Sequence, residues 1–159
     1  RTGALDHARR AADRLIELQR PDGGWPWAFD AKRGRVVEPY EVYAVHQDAM
    51  APMALLELGE VSGEDRYHQA ALHGLDWIFG HNELDRRMLD ASAKIAYRSI
   101  RRRRPYARAA IYANTAGSVA LGHAPFTGSA RALELNPTDR PYHLGWVLEA
   151  WAGREHLAE

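Results

Sequence analysis

Gln19-Arg20-Pro21-Asp22-Gly23-Gly24-Trp25-Pro26-Trp27 opens the stretch, residues 19–58, around which this chain is organised. Just upstream, Ala4, Leu5, Ala8, Ala11, Ala12, Leu15, Ile16 and Leu18 recur at helical intervals. Arg9, Arg10, Asp13, Arg14 and Glu17 take the opposite side, which is the pattern of an amphipathic helix. Pro21 lacks the N–H that a helix needs and Gly23-Gly24 admits backbone angles closed to other residues, so the chain turns before Trp25. Downstream, Tyr40-Glu41-Val42-Tyr43-Ala44-Val45-His46-Gln47-Asp48 concentrates polar and titratable groups directly before the apolar run Ala49-Met50-Ala51-Pro52-Met53-Ala54-Leu55-Leu56-Glu57-Leu58. The periodicity predicts a helix from about Tyr43 to Leu58, with Pro52 in a first turn or at a bend, because an interior proline costs about 3 kcal/mol.

Working outward, residues 26–40 read as a long loop, with Asp30-Ala31-Lys32-Arg33-Gly34-Arg35 as an exposed turn and Arg35-Val36-Val37 as a short extended piece. Gly59 is expected to end the second helix and Ser62-Gly63-Glu64-Asp65 to connect it to a third. Tyr67, Ala70, Ala71, Leu72, Leu75, Trp77, Ile78 and Phe79 mark that third helix, stopped at Gly80-His81-Asn82, and the two together make an αα-hairpin. Ala12-Asp13-Arg14-Leu15-Ile16 aligns with Gly74-Leu75-Asp76-Trp77-Ile78, a spacing of about sixty residues that points to a repeated hairpin. Residues 94–100 alternate like a strand and leave room for one small β-hairpin, whereas helical character returns over 107–121 and 142–156. In the last of these, Leu144, Val147, Leu148 and Trp151 form an apolar stripe. The expected fold is therefore mainly α, built of antiparallel helical hairpins in one domain spanning residues 1–159.

Lys plus Arg number 21 and Asp plus Glu number 21, so the molecule as a whole is not an electrostatic binder of nucleic acid or membranes. Arg101-Arg102-Arg103-Arg104-Pro105, with only Tyr97 and Tyr106 nearby for stacking, is expected to be a solvated loop, which makes nucleic acid an unlikely partner. The absence of cysteine removes disulfides and thiolate zinc sites. No apolar run approaches the roughly 20 residues of a membrane span, and a soluble protein, cytoplasmic by default, is expected. The sequence opens on Arg1 and directly in a helical pattern, as expected of a processed or excised piece of something longer.

The run Arg14-Leu15-Ile16-Glu17-Leu18-Gln19-Arg20-Pro21-Asp22-Gly23-Gly24-Trp25 resembles the QW repeat of the terpenoid cyclase and prenyltransferase α/α toroids. There a glutamine and a glycine-tryptophan turn tie successive hairpins together, a glutamine amide meeting orphan groups at a helix end while the indole packs over it. With Pro26 attached and Gln47-Asp48-Ala49-Met50 following, the segment is also similar to pectate lyases of the α-helical toroid type, although Gln47 stands where that family has asparagine. The resemblance reaches to about residue 82. It implies paired helices in an inner and an outer ring, with an active site at the centre where loops of the inner helices converge. A full ring takes a longer chain, so a partial or abbreviated ring is implied, or one completed by self-association or by a missing chain. The aspartate-rich acid motif of protonation-initiated terpenoid cyclases is missing here.

Candidate chemistry centres on two clusters. His46 with Glu41 or Asp48 makes an acid–base pair, because imidazole titrates near neutrality and a carboxylate fixes its tautomer; Tyr43 supports it. A helix running through Tyr43 puts Tyr43, His46, Gln47 and Met50 on one face, whereas a helix starting at Asp48 makes that residue an N-cap. Asn136-Pro137-Thr138-Asp139-Arg140-Pro141-Tyr142-His143 repeats the logic, with Pro141-Tyr142 matching Pro39-Tyr40. His143 is then expected to face the same cavity as His46, with Arg140 meeting an anionic group; the competing reading is a loop and N-cap built from Asn136, Thr138 or Asp139. Trp27 and Trp25 are candidate sugar platforms, Trp25 equally a buried staple, and Tyr40, Gln47 and Tyr142 complete the substrate-binding set.

No metal ligand is assigned, since no HExxH occurs and His68 and His73 are out of phase on a helix. The sequence leaves the cofactor open, and nucleophile elbow, phosphate loop and dinucleotide fingerprint are all missing from it. The expected function is acid–base chemistry on a polysaccharide or glycan, of lyase, hydrolase or epimerase type. The alternatives are a non-catalytic helical module that binds a glycan or a protein, and a terpenoid cyclase or prenyltransferase-like enzyme.

Overall fold

The computed structural model describes residues 2–104, 106–122 and 124–157. Arg1 and Pro105, with the sequence readings that touch them, lie outside the described residues, as does the side chain of Tyr106. The fold is mainly α with small antiparallel sheets. Helix α1 (Thr2–Glu17) leads through the Gly23-Gly24 turn to a hairpin of β1 (Ala28–Asp30) and β2 (Arg35–Glu38), then strand β3 (Val42–Tyr43). A π-helical turn (His46–Met50) runs directly into α2 (Ala51–Ser62), and α3 (Asp65–Ile78) returns beside it. A second hairpin, β4 (Leu89–Asp90) with β5 (Ile95–Ala96), precedes strand β6 (Ser99–Arg102) and helix α4 (Tyr106–Ala116), which widens into another π turn (Gly117–Leu121). Strand β7 (Leu133–Asn136) and helix α5 (Pro141–Trp151) follow.

The order helix, β-hairpin, strand, helix thus occurs twice, as α1-β1-β2-β3-α2 and as α3-β4-β5-β6-α4, with hairpins about sixty residues apart. Each hairpin is turned by an aspartate that accepts from the backbone ahead of it, Asp30 from Lys32 and Arg33 and Asp90 from Ala93. A last strand-to-helix step, β7 to α5, completes the series. The strands of the three units pair antiparallel in the order β3-β6-β7, with Val42 opposite Ile100 and Ile100 opposite Leu135. Val42 and Ile100 are fully buried, so this small sheet anchors the strand-to-helix corners on one core with Trp77, Ile78, Met88 and Leu133.

A second core joins α1, α2 and α3 through Leu15, Ile16, Trp25, Leu55, Leu56, Tyr67 and Ala71. Each leucine buried there contributes about 1.5–3 kcal/mol. Among the described residues no helix is long and apolar enough to cross a membrane.

Several expectations are corrected by the structure. Gly59 does not end α2; it lies inside the helix, where a Cβ would collide with the His68 ring, and the turn falls at Gly63, whose φ of 70° forms the left-handed cap with its N–H on the Gly59 carbonyl. The 26–40 loop contains a hairpin, since Val36 and Phe29 find each other across the Asp30 turn. The helix start expected near Tyr43 holds to within a residue, since helical backbone runs from Ala44 through the π turn into α2, but Val42 and Tyr43 themselves form a strand because they pair with β6 from far along the chain. Strand β7 carries no local signal of its own and is held by its pairing with β6. Helix α5 stops at Trp151 ahead of Gly153, which has a φ of 78°. Pro39-Tyr40 and Pro141-Tyr142 are not equivalent, the first pair leading into a strand and the second opening α5.

Candidate functional site

A cleft of about 470 Å³ lies where the β3-to-α2 corner meets the start of α5. One wall carries Tyr43, His46 and Met50, which the strand end and the π turn aim the same way. Trp27 closes over this wall from the preceding loop. Its indole is stacked on the His46 imidazole at 5.6 Å with an interplanar angle of 8°, and it meets the Tyr43 ring edge-on at 4.8 Å. Arg98, just ahead of β6, sets its guanidinium over the Tyr43 ring at 5.2 Å. The facing wall is the first turn and a half of α5, with Arg140, Tyr142, His143 and Trp146.

His46 and Asp48 sit on the same turn but point apart. Asp48 is buried, and its Oδ1 lies 2.7 Å from His143 Nε2, which is buried too. Trp151 Nε1 donates to the Asp48 backbone carbonyl at 2.6 Å, fixing the turn against α5. The other imidazole nitrogen of His143, Nδ1, lies 3.9 Å from Asp139 Oδ1 at the cleft edge. Behind the pair lies a more apolar cavity of about 410 Å³ bounded by Leu75, Phe79, Leu144 and Val147, so His143 and Asp139 form a wall shared by two spaces.

Neighbouring charge gives the two buried histidines opposite character. Among the described residues His46 has no carboxylate to offset its desolvation, and its pKa falls below the ordinary imidazole value. Burial pulls His143 the same way, but the hydrogen bond and charge of Asp48, with Asp139 behind them, outweigh it and its pKa is raised. Asp48 is raised by burial, partly offset by His143. Tyr43 is held protonated by burial and by the neighbouring Glu41 charge, against the pull of Arg98.

Of the residues singled out from sequence, the cleft brings together Trp27, Tyr43, His46, Arg140, Tyr142 and His143. Asp48 reaches it through His143 and is no N-cap, since the helical turn begins ahead of it. Glu41 turns to the other side of Tyr43, where it accepts from Tyr43 Oη at 3.2 Å, Asn136 Nδ2 at 2.9 Å and Ser99 Oγ. Three of the set are occupied in packing, Trp25 as the buried staple that was its other reading. Gln47, with 0% exposure, accepts from the Trp25 N–H at 2.8 Å and donates to the Tyr43 carbonyl at 2.9 Å, so both ends of its amide are occupied. Trp25, 3% exposed, sends its indole N–H to the Leu15 carbonyl at 3.0 Å and tethers the end of α1. Tyr40, 4% exposed, is packed between the guanidinium groups of Arg20 and Arg102.

Arg98 and Trp146 line the cleft without having been singled out, whereas Met50 lies beside Tyr43 and His46 as their shared helix face implied. Trp146 was recoverable from its four-residue spacing to Tyr142, which it contacts at 5.9 Å. Arg98 was not, because it reaches Tyr43 only through the pairing of β3 with β6. Among the described residues no three His, Asp or Glu side chains converge to hold a metal ion. Comparison with protein-family models, curated proteins and solved structures gives no match, and the chemistry of the cleft itself carries the functional reading.

Proposed function

We propose that this chain acts on a carbohydrate bound in the Trp27–His143 cleft by acid–base chemistry, with His46 as the base and His143 as the acid. The observation that carries the reading is that two imidazoles with oppositely shifted pKa values line one cleft. Environments that push a pair apart in this way assign the roles: the lowered pKa of His46 favours its neutral form, which accepts a proton, and the raised pKa of His143, beside Asp48, favours its protonated form, which gives one. Trp27, 53% exposed, offers an apolar face for a sugar ring, and Arg98 and Arg140 suit an anionic group on it.

In lytic cleavage His46 takes the proton from the carbon next to a sugar carboxylate while His143 protonates the departing glycosidic oxygen. The C–O bond breaks and a C=C bond forms between the two carbons. Epimerisation uses the same first step with return of the proton to the opposite face, and hydrolysis needs a water activated by His46 instead. Kinship with the α/α toroids is part of the proposal. It is supported by Gln19, whose amide donates to the carbonyls of Gly23 at 2.9 Å and Ala70 at 3.0 Å, and by the repeated unit of the fold. A fold relationship alone assigns no reaction.

The test is a panel of uronic-acid and neutral glycans, followed by calorimetry and by absorbance of unsaturated product. Heat with product supports the enzyme reading, heat without product reduces the chain to a glycan-binding module, and silence toward every glycan removes the carbohydrate reading.

A further inference from the structure

The cavity behind His143 has no task in the chemistry of the cleft. It encloses about 410 Å³, within the range of roughly 300–1,000 Å³ typical of small-ligand pockets. Its sides come from three elements, with Leu75 and Phe79 on α3, Leu89 on β4, and Leu144 and Val147 on α5. The titratable groups that line it, Asp48, Asp139 and His143, stand together at the partition with the cleft. The remaining lining side chains are hydrocarbon or aromatic, and the rim of Phe79, Leu89 and Leu144 is open to water.

The partition carries an open donor. His143 is 6% exposed, and its Nε2 is taken by Asp48. Its Nδ1 stands 3.9 Å from Asp139 Oδ1, too far for a hydrogen bond, and among the described residues it has no hydrogen-bond partner. In the protonated ring that Asp48 favours, this nitrogen carries a proton with no acceptor, and a ligand oxygen placed there relieves the cost of leaving a buried donor unmet. That oxygen has to be neutral, because a carboxylate or phosphate would face Asp48 and Asp139. The Asp139 side chain is 49% exposed, so the partition is open at this edge and one molecule can lie across it.

Two surfaces of unlike character therefore meet at one donor. On the cleft side Trp27, Arg98 and Arg140 suit a sugar ring. On the cavity side a second sugar would take its hydroxyl groups out of water and find no polar side chain past the partition, whereas an alkyl chain or aryl ring buries apolar surface at no such cost.

We infer that the ligand of this site is an amphiphilic glycoside: its sugar lies in the Trp27–His143 cleft, its linking oxygen meets His143, and its alkyl or aryl group fills the apolar cavity. This rests on the glycan reading of the cleft and adds what stands on the far side of the glycosidic oxygen.

The test is calorimetry of the methyl and hexyl glycosides of glucose and of glucuronic acid, a disaccharide of each sugar, and 1-hexanol. Each is titrated into the intact chain and into Leu144→Arg, Leu89→Arg and Leu148→Arg. Leu144 and Leu89 are exposed rim residues on two different elements, and Leu148 is an exposed residue of α5 outside the cavity, so the three variants should fold. A hexyl glycoside should bind about tenfold or more tighter than its methyl counterpart and than hexanol. Leu144→Arg and Leu89→Arg should each remove that gain without changing methyl glycoside affinity, and Leu148→Arg should keep it. Equal affinity for methyl and hexyl glycosides overturns the apolar subsite and leaves the glycan cleft standing. A disaccharide tighter than the hexyl glycoside overturns the apolar group in favour of a second sugar. Loss of the gain in Leu148→Arg as well assigns it to the outer face of α5 and overturns the cavity, as does its survival in both rim variants. Hexanol as tight as the hexyl glycosides overturns the joined ligand. Silence of the alkyl glycosides beside a response to another glycan overturns the amphiphile and keeps the cleft, whereas silence toward every saccharide removes the glycan reading itself.

Discussion

His143 Nε2 lies 2.7 Å from Asp48 Oδ1, and the contact joins the turn before α2 to the first turn of α5. Both groups are buried, so the carboxylate holds the imidazole in one orientation and keeps its proton on. Replacing Asp48 by Asn keeps the shape and removes the charge. The pKa of His143 should then fall, and the alkaline limb of the rate profile, where a required acid is lost, should move to lower pH. Proton NMR titration of the His143 ring reads the first effect without any substrate, and an unmoved titration refutes the pairing. Asp48→Ala, which leaves the buried imidazole without its hydrogen-bond partner, should cost about 1–3 kcal/mol of stability in denaturant unfolding.

Stability should respond to pH in two opposite ways. The folded pKa of His46 lies below its unfolded value of about 6.5, so its contribution is intact above that value and is lost as pH falls through the folded pKa. The folded pKa of His143 lies above its unfolded value, so its contribution is intact below about 6.5 and is lost as pH rises through the folded pKa. Melting temperature followed from acid to alkaline pH should therefore fall on both sides of neutrality. His46→Gln should flatten the acid side and His143→Gln the alkaline side. The reverse assignment would contradict the roles given to the two rings.

The helices were readable because their signals are local: apolar spacing in α1 and α3, the proline in the first turn of α2, the proline and stripe of α5. The strands were not. Val42-Tyr43 finds its partner at Ile100 and Ser99, and Leu133–Asn136 is a strand only because β6 lies beside it. Non-local pairing of such short strands leaves no periodicity to read. The same split runs through the cleft. His46 and His143 stood out by composition near helix starts, whereas Gln47 resembled a site residue and is a buried tie, since sequence does not tell which side of a π turn faces the core. The spacing of about sixty residues found between α1 and α3 marks a unit of helix, hairpin and strand, larger than the helical pair it suggested.

Gly74 on α3 faces the Trp25 ring, and a Cβ there would stand 2.5 Å from the indole and 3.0 Å from the Gln47 carbonyl oxygen. Neither neighbour yields easily, as Trp25 is tied at both of its N–H groups. Gly74→Ala should therefore destabilise by about 1–3 kcal/mol through overpacking, despite the better helix propensity of alanine. Chemical denaturation measures this. A neutral or stabilised variant would show that the Trp25 staple is looser than its hydrogen bonds indicate.

His46 makes ring contacts but no hydrogen bond or ion pair among the described residues, and it borders open space. His46→Ala should therefore lower turnover by about 10²–10⁴-fold on a responsive glycan while moving the melting temperature little. Unfolding in step with loss of turnover would return the residue to a packing role.

The last expectation concerns Trp27. Desolvation alone lowers the pKa of His46, and the Trp27 indole, nearly parallel to that ring with its centroid 5.6 Å away, is one of the groups packed against it. Trp27→Ala should let water in, so His46 should titrate closer to the ordinary imidazole value, while Trp27→Phe, which preserves a flat apolar cover, should leave it nearly unchanged. The indole is 53% exposed on its outer side, so neither change should cost much stability. If the same face also carries a sugar ring, glycan affinity should fall in the alanine variant and largely survive in the phenylalanine variant, since stacking needs the ring and not the N–H. A titration of His46 that ignores both substitutions would mean that its burial comes from Met50 and Tyr43 and that Trp27 is a platform only. Affinity that ignores both would mean that the indole covers the histidine and nothing else.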